Sequence, residues 1–565
     1  MTRIFEALIL NPFWIMAWIP AISIVAIVVI SILKRKDIAH ELKGLKPATL
    51  FILGGISIIY ILFLSISFSS FRPSDEEWFD LDRARHILSG DIDSFNQSPR
   101  GIGYQLIIAA AFRIFGVSAY AASTVNIALS AITIFLAGII AYLLSKRNDT
   151  AVGSAVIYAS MPITLFFAGA RMGYPATAAF MTAIVMIAGI IFASKPDVGK
   201  LVILGLSVSL ISQLKPEFFI FIFPAIALVV FSVKKIKQKP IFVIVAIALI
   251  AFTFIPFATK NYQYRRNLSA TNGVVGIYPT QAGQKSSLSH WIDASLQSIT
   301  NSRLSASYFV KDVDSFLGFW KRNGGGLLIL LAVFGYIIAA RKKFSRNAAI
   351  FGASSFISIV TVYMATDVVY GEEGGRFAFS SMILIVPFAM HALSFIGDVM
   401  AKKWKDKAFH IVPWAIPAVS VVFFIFFAYP QISRARKEDE FSRSIKTLES
   451  LIGIGKFDKE RSCFYTGHSN LTNFMRFNGY ESHAFTDSNM MNTDYENNPE
   501  EFLRKMELPG CIGKQRYMIR EDIDNQRLSD SFVEAMEFVE NEYGEPDPVI
   551  VLGGSVYKLK YPAKQ

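Results

Sequence analysis

The sequence contains little cysteine. Only Cys463 and Cys511 occur in 565 residues, and neither belongs to a Cys-x-x-Cys or a Cys/His spacing. This scarcity excludes a disulfide framework and indicates no zinc ribbon or haem attachment site. The two cysteines either form one disulfide across a loop of almost fifty residues or remain as two buried free thiols, and the sequence favours neither alternative.

The long apolar runs lack ionisable residues in their middles. Proton-coupled pumps and ion channels mark their pathways with such residues, so this absence counts against both classes. The glycine runs NGGGLL and GEEGGRF follow no strand and precede no Lys-Ser/Thr pair, and therefore do not predict a nucleotide-binding loop. No Ser-His or Cys-His motif indicates a covalent nucleophile.

Apolar residues, in contrast, are abundant. They make up 53% of the chain, including 49 phenylalanines, which is more than a soluble core can hide. The composition predicts a polytopic α-helical membrane protein. We assign the net charge of +12 to lysine and arginine in cytoplasmic loops, and we expect no nucleic-acid partner.

About twelve segments are long and apolar enough to be spans. They are residues 13–33, 48–68, 117–144, 150–170, 173–194, 200–214, 217–233, 241–258, 325–340, 347–366, 377–397 and 409–429. The first is expected to be a retained span and not a cleaved signal, since it is full-length and no cleavage site precedes the second.

Alternate loops give the orientation. Six short loops are rich in lysine and arginine, which predicts that they face the cytoplasm. They are KRKDIAHELKGLK, SKRND, SKPDVGK, KKIKQK, RKKFSR and AKKWKDK. We therefore expect an acidic loop at 69–116, a long loop at 259–324 and everything after about residue 430 on the outer side of a plasma or inner membrane.

The chain changes character near residue 430. Residues 1–430 are predicted to be the transmembrane domain, and residues 431–565 a small extracytoplasmic α/β domain. The run RYMIR is typical of a strand, and VIVLGGSVYKLKY of a hairpin that turns at Gly553 and Gly554.

Charge collects at the predicted outer ends of the spans. Asp75, Glu76 and Glu77 follow the second span, and the cations Lys215, Arg265, Arg266 and Arg376 lie on the same side. Such a set suits a lipid-linked phosphate, although outer span ends are also where charged side chains reach the headgroups. Ser74 and Glu77 fit a capping box, and residues 75–89 predict an amphipathic helix lying at the membrane interface.

With these residues in view, the chain resembles the GT-C glycosyltransferases that use polyprenyl-phosphate sugars, in particular the protein O-mannosyltransferase and aminoarabinose-transferase superfamily. The similarity covers roughly residues 70 to 400. It rests on Asp75-Glu76 before an amphipathic helix, then PRGIGYQLIIAAAFRIFG, LISQLKPEFFIFIFP, IPFATKNYQYRRNLSATNGVVGIYPTQAG and GRFAFSSMILIVP. The chain departs from the family pattern in having two spans before the acidic loop.

The resemblance implies an inverting transfer of a sugar from a polyprenyl- or dolichyl-phosphate donor to a glycolipid, polysaccharide or protein. It implies Asp75 as the base, Glu76 as its neighbour, and Lys215, Arg265, Arg266 and Arg376 as phosphate-binding residues. It identifies no acceptor-binding residue and no metal ligand, while a divalent metal cofactor is compatible with it. The alternatives are a lipid or oligosaccharide transporter or flippase, and a GT-C glycan ligase or polymerase.

Overall fold

A computed structural model describes most of the chain. The described residues are 12–67, 75–90, 102–170, 173–233, 240–249, 252, 325–341, 345–370, 374–404, 411–430, 448–449, 451–453, 455–466, 469–484, 511–520, 547–551 and 555–558. The backbones of Asp75, Glu76 and Arg376 are described, but their side chains are not. The long loop at 259–324, with Arg265 and Arg266, lies outside the described residues.

The described residues up to 430 are mostly helical. The helices are α1 (Pro12–Leu33), α2 (Arg35–Glu41), α3 (Pro47–Ser67), α4 (Asp75–Ser89), α5 (Gly103–Phe115), α6 (Ala119–Ser145), α7 (Asn148–Ser160), α8 (Pro162–Leu165), α9 (Tyr174–Ser194), α10 (Val198–Ser212), α11 (Ile222–Ser232), α12 (Pro240–Leu249), α13 (Gly326–Arg341), α14 (Arg346–Tyr370), α15 (Gly374–Trp404) and α16 (Val412–Phe423). Short non-α turns of helix cover Phe166–Ala170, Pro216–Phe221 and Phe424–Ala428.

Each of the twelve predicted spans contains a described helix. By length and composition, four of these helices can cross a membrane, or six if each of two bent pairs is one span. The pair α7 and α8 bends by 61° where Pro162, which has no backbone N–H to donate, starts a new helix. The count of twelve therefore stays a prediction.

The bundle is built around α15, the most deeply buried of the long apolar helices. Glycines permit its closest contacts. A Cβ at Gly335 of α13 would overlap the Phe388 carbonyl oxygen, and one at Gly153 of α7 would overlap the Met390 side chain. In contrast, α3 exposes Phe51 and Ile66, as expected of a helix that faces lipid.

Ion pairs join the chain at one end of the bundle, which we call the ion-pair end. Lys34 lies 3.2 Å from Asp197, Lys146 lies 3.3 Å from Glu41, and Arg147 binds both Asp149 and Asp398. These pairs connect three of the six basic loops to one another and to the last turns of α15. The structure thus brings these predicted cytoplasmic segments to a single end.

The C-terminal unit, which we define as the described residues 455–558, contains a five-stranded sheet. Its strands are β1 (Ser462–Thr466), β2 (Glu481–Ala484), β3 (Gln515–Arg520), β4 (Asp547–Val551) and β5 (Ser555–Lys558), with helix α17 (Ser469–Phe477) between the first two. The order is β2-β1-β3-β5-β4, with β1 parallel to both neighbours and β5 antiparallel to both of its own. The predicted strand RYMIR and both hairpin strands are confirmed, while Gly553 and Gly554 lie outside the described residues.

A disulfide links Cys463 in β1 to Cys511, across 48 positions of sequence and with 5.4 Å between the Cα atoms. The sequence left a disulfide and two free thiols as equal alternatives. The structure contains the disulfide, which ties the sheet to the segment that leads into β3.

The amphipathic helix at residues 75–89 is confirmed as α4, but its expected surroundings need correction. The predicted apolar face consists of Trp78, Leu81, Ala84 and Leu88. The first three are buried, and Leu88 is half-buried. The Trp78 ring lies 5.0 Å from Phe474 and 5.2 Å from Phe477, both in α17. The C-terminal unit therefore packs against this face of α4. The sequence pattern predicts a face at the membrane interface, whereas the structure buries this face against protein.

The Gly335→Ala variant should destabilise the bundle, because its methyl group would overlap the Phe388 carbonyl and force α13 away from α15. We expect a loss of about 1–3 kcal/mol in the free energy of unfolding. Gly55→Ala in α3 is the matched control, since nothing lies within 4 Å of its new side chain. Thermal unfolding of both full-length variants in detergent measures the difference, and equal midpoints would contradict the packing.

Candidate functional site

The candidate site begins at the amino end of α4. Asp75 and Glu76 occupy its first turn, where the helix dipole favours negative charge. The backbone places both residues at the end of the bundle opposite the ion pairs. We call this the α4 end, and define it by the start of α4, the start of α5 and the turn between α10 and α11.

Two further acids of α4 are buried at this end. Glu77 is 5% exposed and Asp80 is 6% exposed. Gln105 of α5 donates a hydrogen bond of 2.6 Å from its Nε2 to Asp80 Oδ1. Because a buried carboxylate is costly without such partners, α5 helps to hold α4 in place.

The sequence pattern assigned Glu77 to a cap and gave Asp80 no functional role. Ser74, the other half of the expected capping box, lies outside the described residues. The signal that was missed is the spacing of the two acids, since residues three apart lie on one side of a helix. That spacing alone cannot show which side is buried.

Tyr104, at the start of α5, joins these acids to the segment before α9. Its side chain is buried, and burial is the first cause that raises the pKa of Tyr104 well above its ordinary value. The negative charges of Asp80 and Glu77 add to this rise, and a backbone hydrogen bond from Gly173 opposes it. The phenol is therefore neutral at physiological pH and can donate its proton in a hydrogen bond.

Gly173 allows the chain to turn closely past Glu77. Its φ of +136° is strained for any residue with a side chain, and a Cβ there would lie 3.9 Å from Glu77 Cγ and 3.3 Å from Pro175 Cδ. The same turn presents Tyr174, which begins α9.

Lys215 reaches the same place from the turn between α10 and α11. Its side chain is half-buried, and its Nζ lies 4.9 Å from the centre of the Tyr174 ring, a cation–π contact. The Gly103 N–H donates to the Gln213 carbonyl at 2.8 Å. A Cβ on Gly103 would lie 3.0 Å from that carbonyl, so a larger residue would push the two segments apart by a few tenths of an ångström.

Two buried side-chain amides at this end have atoms without a hydrogen-bond partner among the described residues. Gln213 is 1% exposed, and among the described residues neither its Oε1 nor its Nε2 has a partner. The same holds within the described ranges for Gln105 Oε1. Leaving such groups unsatisfied costs about 1–3 kcal/mol each, so they are suited to bind hydroxyl groups or water.

Arg376 lies in the first turn of α15. One turn further along, the Phe379 ring stacks on Phe167 at 5.2 Å, and Phe167 belongs to the turn of helix at Phe166–Ala170. Gly173, three positions after that turn in the sequence, lies against Glu77, so the start of α15 lies at the α4 end. Of the predicted cations, the described residues bring Lys215 and the backbone of Arg376 to this end.

One group of potential metal ligands occurs within the described part of the chain. Cys463, His483 and Cys511 have ligand atoms within 4.8 Å of one another. Both cysteines are in the disulfide, so neither offers a thiolate to a metal. This group lies in the sheet of the C-terminal unit.

Together these features describe a helical bundle with paired charges at one end and a buried polar site at the other. The model of a protein family described as dolichyl-phosphate-mannose-protein mannosyltransferase matches residues 99–257, from just before α5 to just beyond α12. This range includes Lys215, while Asp75 and Glu76 precede it. A search of curated protein sequences finds no significant match.

Solved structures of similar fold cover nearly the whole chain. ArnT from Cupriavidus metallidurans bound to undecaprenyl phosphate is 12% identical, with a TM-score of 0.55 over 89% of this chain and 97% of that one. The apo state of the same protein is 10% identical, with a TM-score of 0.50 over 89% and 98%. The resemblance to the GT-C superfamily is thus confirmed by a family domain and by the fold, and the protein is an integral, multi-pass helical membrane protein.

The Gln105→Glu variant should make stability depend on pH, because it places a second carboxyl group against Asp80. Like charges at this separation disfavour ionisation, so one carboxyl should keep its proton with a raised pKa. The folded state then binds more protons than the unfolded state, and the free energy of unfolding falls as the pH rises above about 4.

Thermal unfolding of full-length protein at about pH 5 and about pH 8 tests this expectation. Gln105→Met is the control, because it removes the hydrogen bond without adding charge. If the two variants respond equally to pH, the 2.6 Å contact between Gln105 and Asp80 does not govern the site.

Proposed function

We propose that the protein is an inverting glycosyltransferase that moves a sugar from a polyprenyl- or dolichyl-phosphate donor to a glycolipid, polysaccharide or protein. The observation that carries this proposal is the position of Lys215, which lies at the same end of the bundle as the acids of α4. The family domain and the fold support the same chemistry. The reaction would occur on the outer face of a plasma or inner membrane, where residues 431–565 would form an extracytoplasmic domain.

The site supplies the two functions that such a transfer requires. The Asp75 carboxylate takes the proton from the acceptor hydroxyl as its oxygen attacks the anomeric carbon. The bond between that carbon and the phosphate oxygen breaks, and its electron pair leaves with the polyprenyl phosphate. Lys215, together with Arg265, Arg266 and Arg376, stabilises this anion, while Glu76 orients the acceptor or Asp75.

An apolar groove suits the lipid chain of the donor. It lies among α10, α11 and α12, where Leu204, Val208, Ile222, Val229 and Leu249 line it. The turn that carries Lys215 connects α10 to α11. A phosphate at Lys215 would therefore have an apolar surface for its prenyl units further along the two helices that this turn connects. The undecaprenyl phosphate bound by the ArnT structure is a ligand of this type.

The proposal is tested with full-length protein in liposomes and labelled polyprenyl-phosphate mannose or aminoarabinose. Transfer of label to an acceptor supports a glycosyltransferase. Movement of intact donor between leaflets without transfer would support the flippase alternative. Transfer of a whole preassembled glycan would identify a ligase or polymerase.

Asp75→Asn should reduce transfer by about 10²–10⁴-fold, since the amide cannot accept the acceptor proton. The rate of sugar transfer measures the effect, with gel filtration as a check of folding. Asp37→Asn is the control, because Asp37 pairs with Lys195 at the ion-pair end. Transfer that persists in Asp75→Asn would remove this residue from the role of base.

Lys215→Gln should weaken the binding of undecaprenyl phosphate by about tenfold or more, because it removes a charge-assisted contact to the anion. Native mass spectrometry of the lipid complex gives the affinity. The matched variant is Lys195→Gln, whose lysine is 74% exposed at the opposite end. Equal affinities for the two variants would show that Lys215 does not contact the phosphate.

A further inference from the structure

Helix α4 cannot hold its position alone. It has 15 residues, a length at which an isolated helix is marginal in water, and it carries several charges. Its stability and its place at the site must come from packing. The contacts that supply this packing therefore also determine where the acids of α4 lie.

One of these contacts is an aromatic cluster between α4 and the C-terminal unit. Trp78 follows the buried Glu77 directly and packs edge to face against Phe474 of α17 at 5.0 Å. Phe477, one turn further along α17, lies 5.2 Å from Trp78 and 6.2 Å from Phe112 of α5. The end of α17 is thus wedged against both helices that build the polar site.

A polar contact fixes the register between the same helices. Arg85 Nη2 donates to the Arg476 carbonyl at 2.8 Å and to Asp82 Oδ1 at 3.0 Å. The carbonyl groups in the last turn of a helix have no partner within the helix, and they attract a cation. Arg85 therefore binds the carboxyl end of helix α17.

Helix α17 is in turn held firmly to the sheet. The hydroxyl groups of Thr466 and Thr472 lie 2.6 Å apart, and Arg476 Nε donates to the Ser482 carbonyl at 2.8 Å. Thr466 belongs to β1, the strand that also contains the disulfide-bonded Cys463. A continuous set of contacts therefore runs from the sheet through α17 to α4.

We propose that the C-terminal unit positions α4 within the site, with Trp78 and Arg85 as the positioning residues. This inference rests on the proposed function and adds to it. The unit would act on the rate of transfer through the acids of α4. It would leave donor binding at Lys215 unchanged. That residue lies in the turn between α10 and α11 and stacks on Tyr174 of α9.

The first test is hydrogen–deuterium exchange of the full-length protein in detergent, followed in peptides that cover residues 75–90. Phe474→Ala should speed exchange there by about tenfold, because α4 loses an aromatic neighbour. Phe457→Leu is the matched control, since its ring neighbours Phe464, Tyr480 and Tyr517 all lie in the C-terminal unit. Exchange in α4 that stays as slow in Phe474→Ala as in the control would overturn the inference.

Arg85→Gln provides a second variant that leaves the aromatic cluster intact, and Arg461→Gln is its control because Arg461 is 86% exposed. Arg85→Gln should speed exchange in α4 while the peptides of β1 and β3 keep the wild-type rate. Faster exchange throughout the C-terminal unit would show general unfolding and would also overturn the proposal.

The rate of sugar transfer distinguishes a C-terminal unit that positions α4 from one that only stabilises the fold. In Phe474→Ala we expect kcat to fall about tenfold with the affinity for undecaprenyl phosphate unchanged, and Phe474→Leu should recover part of the rate. Faster exchange with an unaltered kcat would refute positioning. If the wild-type protein transfers no sugar from any donor, the proposed function fails, while the exchange experiment still decides whether the C-terminal unit holds α4.

Discussion

The burial of two carboxylates, those of Glu77 and Asp80, governs the arrangement at the α4 end. Glu77 and Asp80 are almost fully enclosed, and a carboxylate in that setting requires hydrogen-bond partners. Gln105 supplies one of them to Asp80. The close approach of the chain at Gly173 and Gly103 brings the turn of Lys215 against the same helices. The site is therefore a consequence of how these acids are accommodated.

The two ends of the bundle use charge differently. At the ion-pair end, acids and bases of successive loops lie within about 4 Å of one another and join the helices. At the α4 end, buried amides of Gln105 and Gln213 have atoms without a partner among the described residues. An unsatisfied buried group costs about 1–3 kcal/mol. Ordered water or a ligand commonly supplies the partner of such a group.

Much of the architecture was predictable because hydrophobic runs and helical periodicity are local properties of a sequence. Every predicted span contains a helix, α4 begins at Asp75, and three of the five described C-terminal strands, β3, β4 and β5, follow the predicted runs. The number of membrane crossings was not predictable in this way. Several helices are shorter than a bilayer, and the pair α7 and α8 bends where Pro162 lacks a backbone hydrogen bond.

The site was only partly predictable for the same physical reason. The residue types and order predicted Asp75, Glu76 and Lys215 as candidate site residues, since charge at the end of an apolar run is visible in the sequence itself. Which face of α4 is buried, and against what, depends on residues almost four hundred positions away, such as Arg476. The sequence by itself therefore determined the helices and their charged ends, and it predicted a class of chemistry. Only the tertiary structure decided that Glu77 and Asp80 face the site, that the cysteines are paired, and that the C-terminal unit packs against α4, because these depend on contacts between distant segments.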